Sequence, residues 1–245
     1  MCTLTFAWQA FPDAPLVVAA NRDELLDRPS EPPAVREGER RFLAPGDAEA
    51  GGTWIGVNDA GVLVAVTNRW VDADLAGERS RGLLVRDALG AESAEAAGRL
   101  VERAVDDHDY QGFNLLVADA TAALVYEFDG SLSVATAEPG VHVVVNVGWD
   151  GKYVIPGHRP EAGERQAAAA DRLREVLAVE PGETATAWRD RAADLLGDHD
   201  VGVCVHGDGF GTRSSSLVTV GDGVEYLFAD GPPCRTPYER VDSSI

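Results

Sequence analysis

The chain has 245 residues, 45% of them hydrophobic, and a formal net charge of −20 at neutral pH. That length sustains a substantial core, and residues 1–245 read as a single domain. The acidity excludes sequence-independent nucleic-acid binding, which needs a basic face.

No apolar run reaches the roughly 18 residues of a membrane-crossing helix. No basic segment followed by an apolar one marks a secretion signal. The expectation is a cytoplasmic protein with no transmembrane segment and with no nucleic-acid partner. Lys152 is the only lysine, so almost every cation is an arginine. An acidic, lysine-poor composition is expected of an acidic halophilic protein, whose self-repulsion salt must screen, the plain alternative being an ordinary acidic cytosolic protein. Three cysteines, Cys2, Cys204 and Cys234, make no disulfide framework.

Taken in order, the chain opens with two β-type runs, through Trp8 and over Leu16–Ala20, separated by Phe11-Pro12-Asp13-Ala14-Pro15. They predict a hairpin that brings Asn21-Arg22-Asp23-Glu24 back beside Cys2. Residues 28–47, rich in Pro, Glu and Arg, read as an irregular surface excursion. Thr53–Val57 and Val62–Thr67 flank the turn Asn58-Asp59-Ala60-Gly61 and predict a second hairpin, ending at Asn68. Residues 80–104 carry two helical patterns broken near Gly90, with Ser80 and Ser93 as N-caps. Strands are expected over 113–118, 122–128, 131–135 and 141–147. Helices follow over 163–179 and 184–196, then strands over 201–205, 214–220 and 224–229. Strands and helices without regular βαβ alternation favour an antiparallel α+β layer fold.

Cys2 is the chemical focus. With Met1 removed it carries a thiol and a free α-amine, and such an amine (reference pKa about 7.7–8.0) can serve as general base to a nucleophile on its own residue. Arg22 would favour the thiolate and Asp23 would hold the amine. The plain alternative is a small residue starting a buried strand. Cys2 is expected to line a concave pocket. Asn68 and Asn146 each end an apolar strand, where a side-chain amide either donates to a developing oxyanion or caps the strand. Along a strand Arg22 faces with Glu24 and Asn21 with Asp23, so Arg22 and Asp23 reach Cys2 together only across a bend. Asn21 and Glu24 are candidate substrate contacts. Arg213, after Gly207-Asp208-Gly209-Phe210-Gly211, binds an anionic substrate group or makes a structural ion pair. Asn114, inside a strand, reads as structural. Cys204-Val205-His206 offers two metal ligands without a second pair at zinc-site spacing, so no metal and no cofactor are expected. None of the five histidines is placed as a haem ligand.

Together, Met1-Cys2, Asn21-Arg22-Asp23-Glu24, Gly51-Gly52-Thr53-Trp54-Ile55-Gly56, Thr67-Asn68, Gly112-Phe113-Asn114-Leu115-Leu116 and Gly209-Phe210-Gly211-Thr212-Arg213 resemble the NRDE family, that of the transport and Golgi organisation protein 2. That family is similar to cysteine N-terminal-nucleophile (Ntn) hydrolases such as penicillin V acylase and bile salt hydrolase. The resemblance implies a four-layer αββα sandwich of mainly antiparallel sheets. It implies Cys2, Arg22, Asp23, Asn68 and Asn146 as catalytic residues, a C–N amide as the bond cleaved and a small-molecule substrate. In bile salt hydrolases the Arg and Asp are separated by two residues, whereas here they are adjacent. A second reading is a binding or carrier protein for acyl-CoA, lipid or haem-like ligands on the same fold.

Overall fold

The computed structural model describes residues 2–245. In chain order the first elements are strands β1 (Thr3–Phe11), β2 (Ala14–Leu25), β3 (Ser30–Arg36), β4 (Phe42–Asp47), β5 (Ile55–Asn58) and β6 (Leu63–Asn68). Helices α1 (Arg81–Ala88) and α2 (Ala94–Asp107) follow, then β7 (Phe113–Ala118), β8 (Ala123–Phe128), β9 (Leu132–Thr136) and β10 (Gly140–Val145). The chain continues through β11 (Gly148–Trp149), β12 (Lys152–Tyr153), α3 (Pro160–Val176) and α4 (Ala185–Gly197), and ends with β13 (Phe210–Val220), β14 (Val224–Ala229) and β15 (Glu239–Arg240). It divides into two compact units. The first holds residues 2–28 and 139–241, the second residues 29–138 and 242–245.

The first unit is built on one sheet with strand order β12-β11-β10-β1-β2-β13-β14-β15, every pair antiparallel. β1 lies between β10 and β2, with Thr3 opposite Val145 on one side and Asn21 on the other. Leu4, Phe6, Ala7, Trp8 and the run Leu16–Ala19 are buried, so apolar burial fixes this register. The hairpin therefore returns the end of β2 to the start of β1, as its turn residues predict. α3 packs against β10, and α4 against β2 and β13.

The second unit carries a sheet of order β3-β4-β5-β6-β7-β8-β9, again antiparallel throughout. α1 lies against β5 and β6, and α2 against β7 and β8. Leu84, Val85 and Val101 from the helices pack with Val64, Phe113, Leu115 and Val117 from the strands in one core. Gly98 permits the close approach of α2, since a Cβ there would fall 2.3 Å from the Tyr126 hydroxyl. Ser80 and Ser93 cap α1 and α2 as expected, accepting from the Gly82 and Ala96 N–H groups. The class is thus α+β, with antiparallel sheets and four helices among the described residues.

Two sequence readings need correction, and two short strands went unread. Residues 28–47 are not irregular: they form β3 and β4. Pro32 and Pro33 are accommodated because β3 is an edge strand and its pairing shifts register between Glu31 and Ala34. Residues 201–205 form a loop rather than a strand, joined to β13 through an isolated bridge between His206 and Gly211. The two-residue strands β11 and β12 had no periodic signal to announce them.

Candidate active site

Cys2 immediately precedes β1 and is partly buried. Its backbone N–H donates to Asn146 Oδ1 at 3.0 Å, and its Sγ lies 3.7 Å from the Asp23 carbonyl oxygen. The sheet order explains both contacts. The residue before β1 meets the residue after β10 on one side and the end of β2 on the other. Burial pushes the Cys2 thiol above its ordinary value; the Asp23 charge adds to that, and the Arg22 charge opposes it.

Asp23 is buried, and burial raises its carboxyl above the ordinary range. Its Oδ1 accepts from the Thr212 hydroxyl at 2.6 Å, directly across the β2–β13 pairing. Thr212 Oγ1 in turn accepts from the Val205 N–H at 2.9 Å. Arg22 is also buried, and its guanidinium lies 3.7 Å from Glu24. Glu24 is 4.0 Å from Arg28 as well, and its Oε1 accepts from the Leu25 N–H. The facing read from strand periodicity, Arg22 with Glu24, is thus what forms. The β2–β13 register shifts between Thr212 and Ser214, leaving Arg213 as an extra residue opposite the Arg22–Asp23 step. Bulges of this kind re-aim side chains beside sites.

Asn146 is buried and presents its carbonyl oxygen to Cys2. The same Oδ1 accepts from Gln166 Nε2 at 2.7 Å. Asn146 therefore presents its amide oxygen to the Cys2 nitrogen, a positioning contact. Gln166 and Thr212 are the residues that sequence reasoning missed. Gln166 had a signal: with Gly163, Ala170 and Leu173 it forms the buried stripe of α3, a polar residue on an apolar face.

Other candidates fall elsewhere. Asn21, expected as a substrate contact, donates from Nδ2 to the carbonyls of Leu196 and Val203, both at 2.9 Å, and ties β2 to the end of α4 and the following loop. Arg213 is paired with Asp230 at 2.8 Å. Asn68 ends β6 in the second unit and is exposed. Asn114 is structural, accepting from Arg69 at 2.9 Å and donating to Thr67 at 3.2 Å. A cavity of about 330 Å³ in the first unit is lined by Thr3, Val145, Gln166, Arg165 and Arg172 among others, but not by Cys2.

What the first unit assembles is a thiol and its own backbone nitrogen, held between an amide oxygen, a buried carboxyl and a buried guanidinium. Solved structures share this fold. Penicillin V acylase from Agrobacterium tumefaciens matches with TM-score 0.59 at 16% identity, over 93% of this chain and 82% of its own. A mutant conjugated bile acid hydrolase from Clostridium perfringens gives 0.60 at 14% identity, over 99% and 92%. A Caenorhabditis elegans ortholog of N-acylethanolamine-hydrolyzing acid amidase gives 0.57 at 14% identity, over 88% and 92%. The chain thus has the mixed α+β fold of the Ntn hydrolases.

Sequence comparison goes further. The model of the Transport and Golgi organisation 2 family matches residues 1–230. The human Transport and Golgi organization protein 2 homolog is 30% identical over 275 residues, with 100% of this chain and 95% of that protein covered. The mouse homolog is 32% identical over 130 residues, half of this chain and 47% of that protein. The chain belongs to the Transport and Golgi organisation 2 family. Among the described residues no helix is long and apolar enough to cross a membrane.

Proposed function

We propose that this chain is a cysteine Ntn amidohydrolase, with Cys2 as the N-terminal nucleophile once Met1 is removed. The observation that carries the reading is the 3.0 Å contact of the Cys2 nitrogen with Asn146, beside a thiol flanked by Arg22 and Asp23. With the thiol pKa raised, Sγ keeps its proton until a substrate carbonyl arrives. The neutral α-amine, aimed by Asn146, then takes the proton as Sγ forms its bond to the carbonyl carbon. The amine proton passes to the leaving nitrogen as the C–N bond breaks, leaving a thioester. Water, deprotonated by the same amine, attacks that thioester, releases the acid and restores the thiol. Arg22 supplies positive charge next to the reacting sulfur, and the Asp23 carboxyl supplies negative charge next to the amine that becomes cationic. All of these groups lie in the first unit. The acidic, lysine-poor surface supports placing the protein in the cytoplasm of a salt-rich cell.

One observation favours a second reading. A thiol pushed up by burial is the mark of an inert cysteine, which suits a protein that binds an acyl-CoA, lipid or haem-like ligand without turnover. The two are separated by incubating protein whose first residue is Cys2 with penicillin V, conjugated bile acids, N-acylethanolamines and simple acyl thioesters. Release of free acid by the wild type and not by Cys2→Ala supports the amidohydrolase. Tight binding without release, unchanged in Cys2→Ala, supports the carrier.

A further inference from the structure

Outside the Cys2 site, the loop after α4 gathers His199, Cys204 and His206 around Cys234 from the segment after β14. One donor atom from each of the four lies within 4.8 Å of all the others. His206 Nε2 is the hub. It lies 3.6 Å from Cys204 Sγ, 3.3 Å from Cys234 Sγ and 3.2 Å from His199 Nε2. A tetrahedral zinc ion with Zn–S bonds of about 2.3 Å and Zn–N bonds of about 2.05 Å separates its ligands by about 3.5 Å for S···N and about 3.3 Å for N···N. The three spacings that meet at His206 match edges of such a tetrahedron, and the other three pairs lie within 4.8 Å, close enough for a bound ion to draw them in. We propose that His199, Cys204, His206 and Cys234 form a structural Cys₂His₂ site for a divalent zinc-like cation.

The chemistry of the donors fits. Two thiolates neutralise a divalent charge, and thiolate with imidazole selects zinc over magnesium or calcium. The packing fits as well. Gly197, at the end of α4, lets the Cys234 segment approach closely, since a Cβ there would fall 3.2 Å from the Cys234 nitrogen. One contact must change on loading. Arg235 donates to His206 Nδ1 at 2.8 Å. An imidazole bound through Nε2 carries its proton on Nδ1, so Arg235, which is exposed, turns away.

The site would give the 199–206 loop a fixed position that its lack of regular structure does not. That loop supplies the Val203 carbonyl that receives Asn21 and the Val205 N–H bound by Thr212, the partner of Asp23. A cation here would brace one side of the Cys2 surroundings without touching the reaction.

The test is metal content and spectroscopy on the full chain. Wild-type protein equilibrated with micromolar zinc and then desalted should hold about one zinc per chain, and cobalt in its place should show the intense visible bands and thiolate charge-transfer absorption of a tetrahedral site. Cys234→Ser, at an exposed position, should lose the zinc and shift the cobalt spectrum while keeping its circular dichroism. Wild-type protein that retains no zinc, a Cys234→Ser variant that retains as much as the wild type, or octahedral cobalt bands would each overturn the proposal. So would a Cys204–Cys234 disulfide in protein purified under reducing conditions.

Discussion

The backbone nitrogen of Cys2 donates to the side-chain oxygen of Asn146 at 3.0 Å, across 144 positions of sequence. Two strands that flank β1 make this possible, and the contact aims the atom that becomes the α-amine. Replacing Asn146 by Ala removes the acceptor of both Cys2 and Gln166. A buried donor left without its partner costs about 1–3 kcal/mol. Asn146→Ala should therefore lower stability by that amount in a denaturant titration. It should also lower kcat for amide release more than it raises KM, as loss of an orienting contact does. A variant with wild-type kcat would remove Asn146 from the mechanism.

Arg22 opposes the burial that raises the Cys2 thiol. In Arg22→Ala the pH profile of Cys2 alkylation, followed peptide by peptide in the mass spectrometer, should move to higher pH. At neutral pH the labelling should be slower. A superimposable profile would mean that the Arg22 charge does not reach the sulfur.

Asp23 is a buried carboxyl whose pKa is raised chiefly by burial. Its folded value therefore lies above its unfolded one. The stability it contributes is full below the unfolded value of about 3.9 and is lost as pH rises through the raised folded value. Asp23→Asn keeps an acceptor for Thr212 and abolishes the titration. The Tm of the variant minus that of the wild type should grow more positive as pH climbs from about 4 to 7, while amide hydrolysis falls. A difference that is flat with pH would contradict the burial argument.

Salt provides a third handle on stability. With 41 acidic and 21 basic side chains, the folded chain repels itself. Screening tightens from about 10 Å at 0.1 M to about 3 Å at 1 M. Tm should rise over that range, with sodium and potassium chloride acting alike. A constant Tm would show that the charges are already locally balanced.

Much of this was legible in the sequence. Two apolar runs around a Pro-Asp turn fixed the β1–β2 hairpin, and period-two facing paired Arg22 with Glu24. Ser80 and Ser93 announced α1 and α2. Four features were hidden for identifiable reasons. Pro32 and Pro33 disguised β3, because an edge strand tolerates what a central strand does not. The Arg213 bulge depends on a partner strand nearly 190 residues away, since it is set by how Thr212 meets Asp23. Asn21 resembled its polar neighbours until its two backbone acceptors were seen. Cys204-Val205-His206 offered only two donors in the sequence, since His199 and Cys234 come beside them through the loop and the tail, at spacings no short motif shares.

The most direct test of Cys2 as nucleophile is to trap the acyl-enzyme. Protein confirmed by intact mass to begin at Cys2 is mixed with an activated acyl donor, quenched in acid and digested. The account predicts a thioester on the Cys2 peptide that forms faster than any adduct on Cys204 or Cys234, decays as free acid appears, and is absent from Cys2→Ala. Acid released at the same rate by Cys2→Ala, or an adduct confined to Cys234, would contradict it.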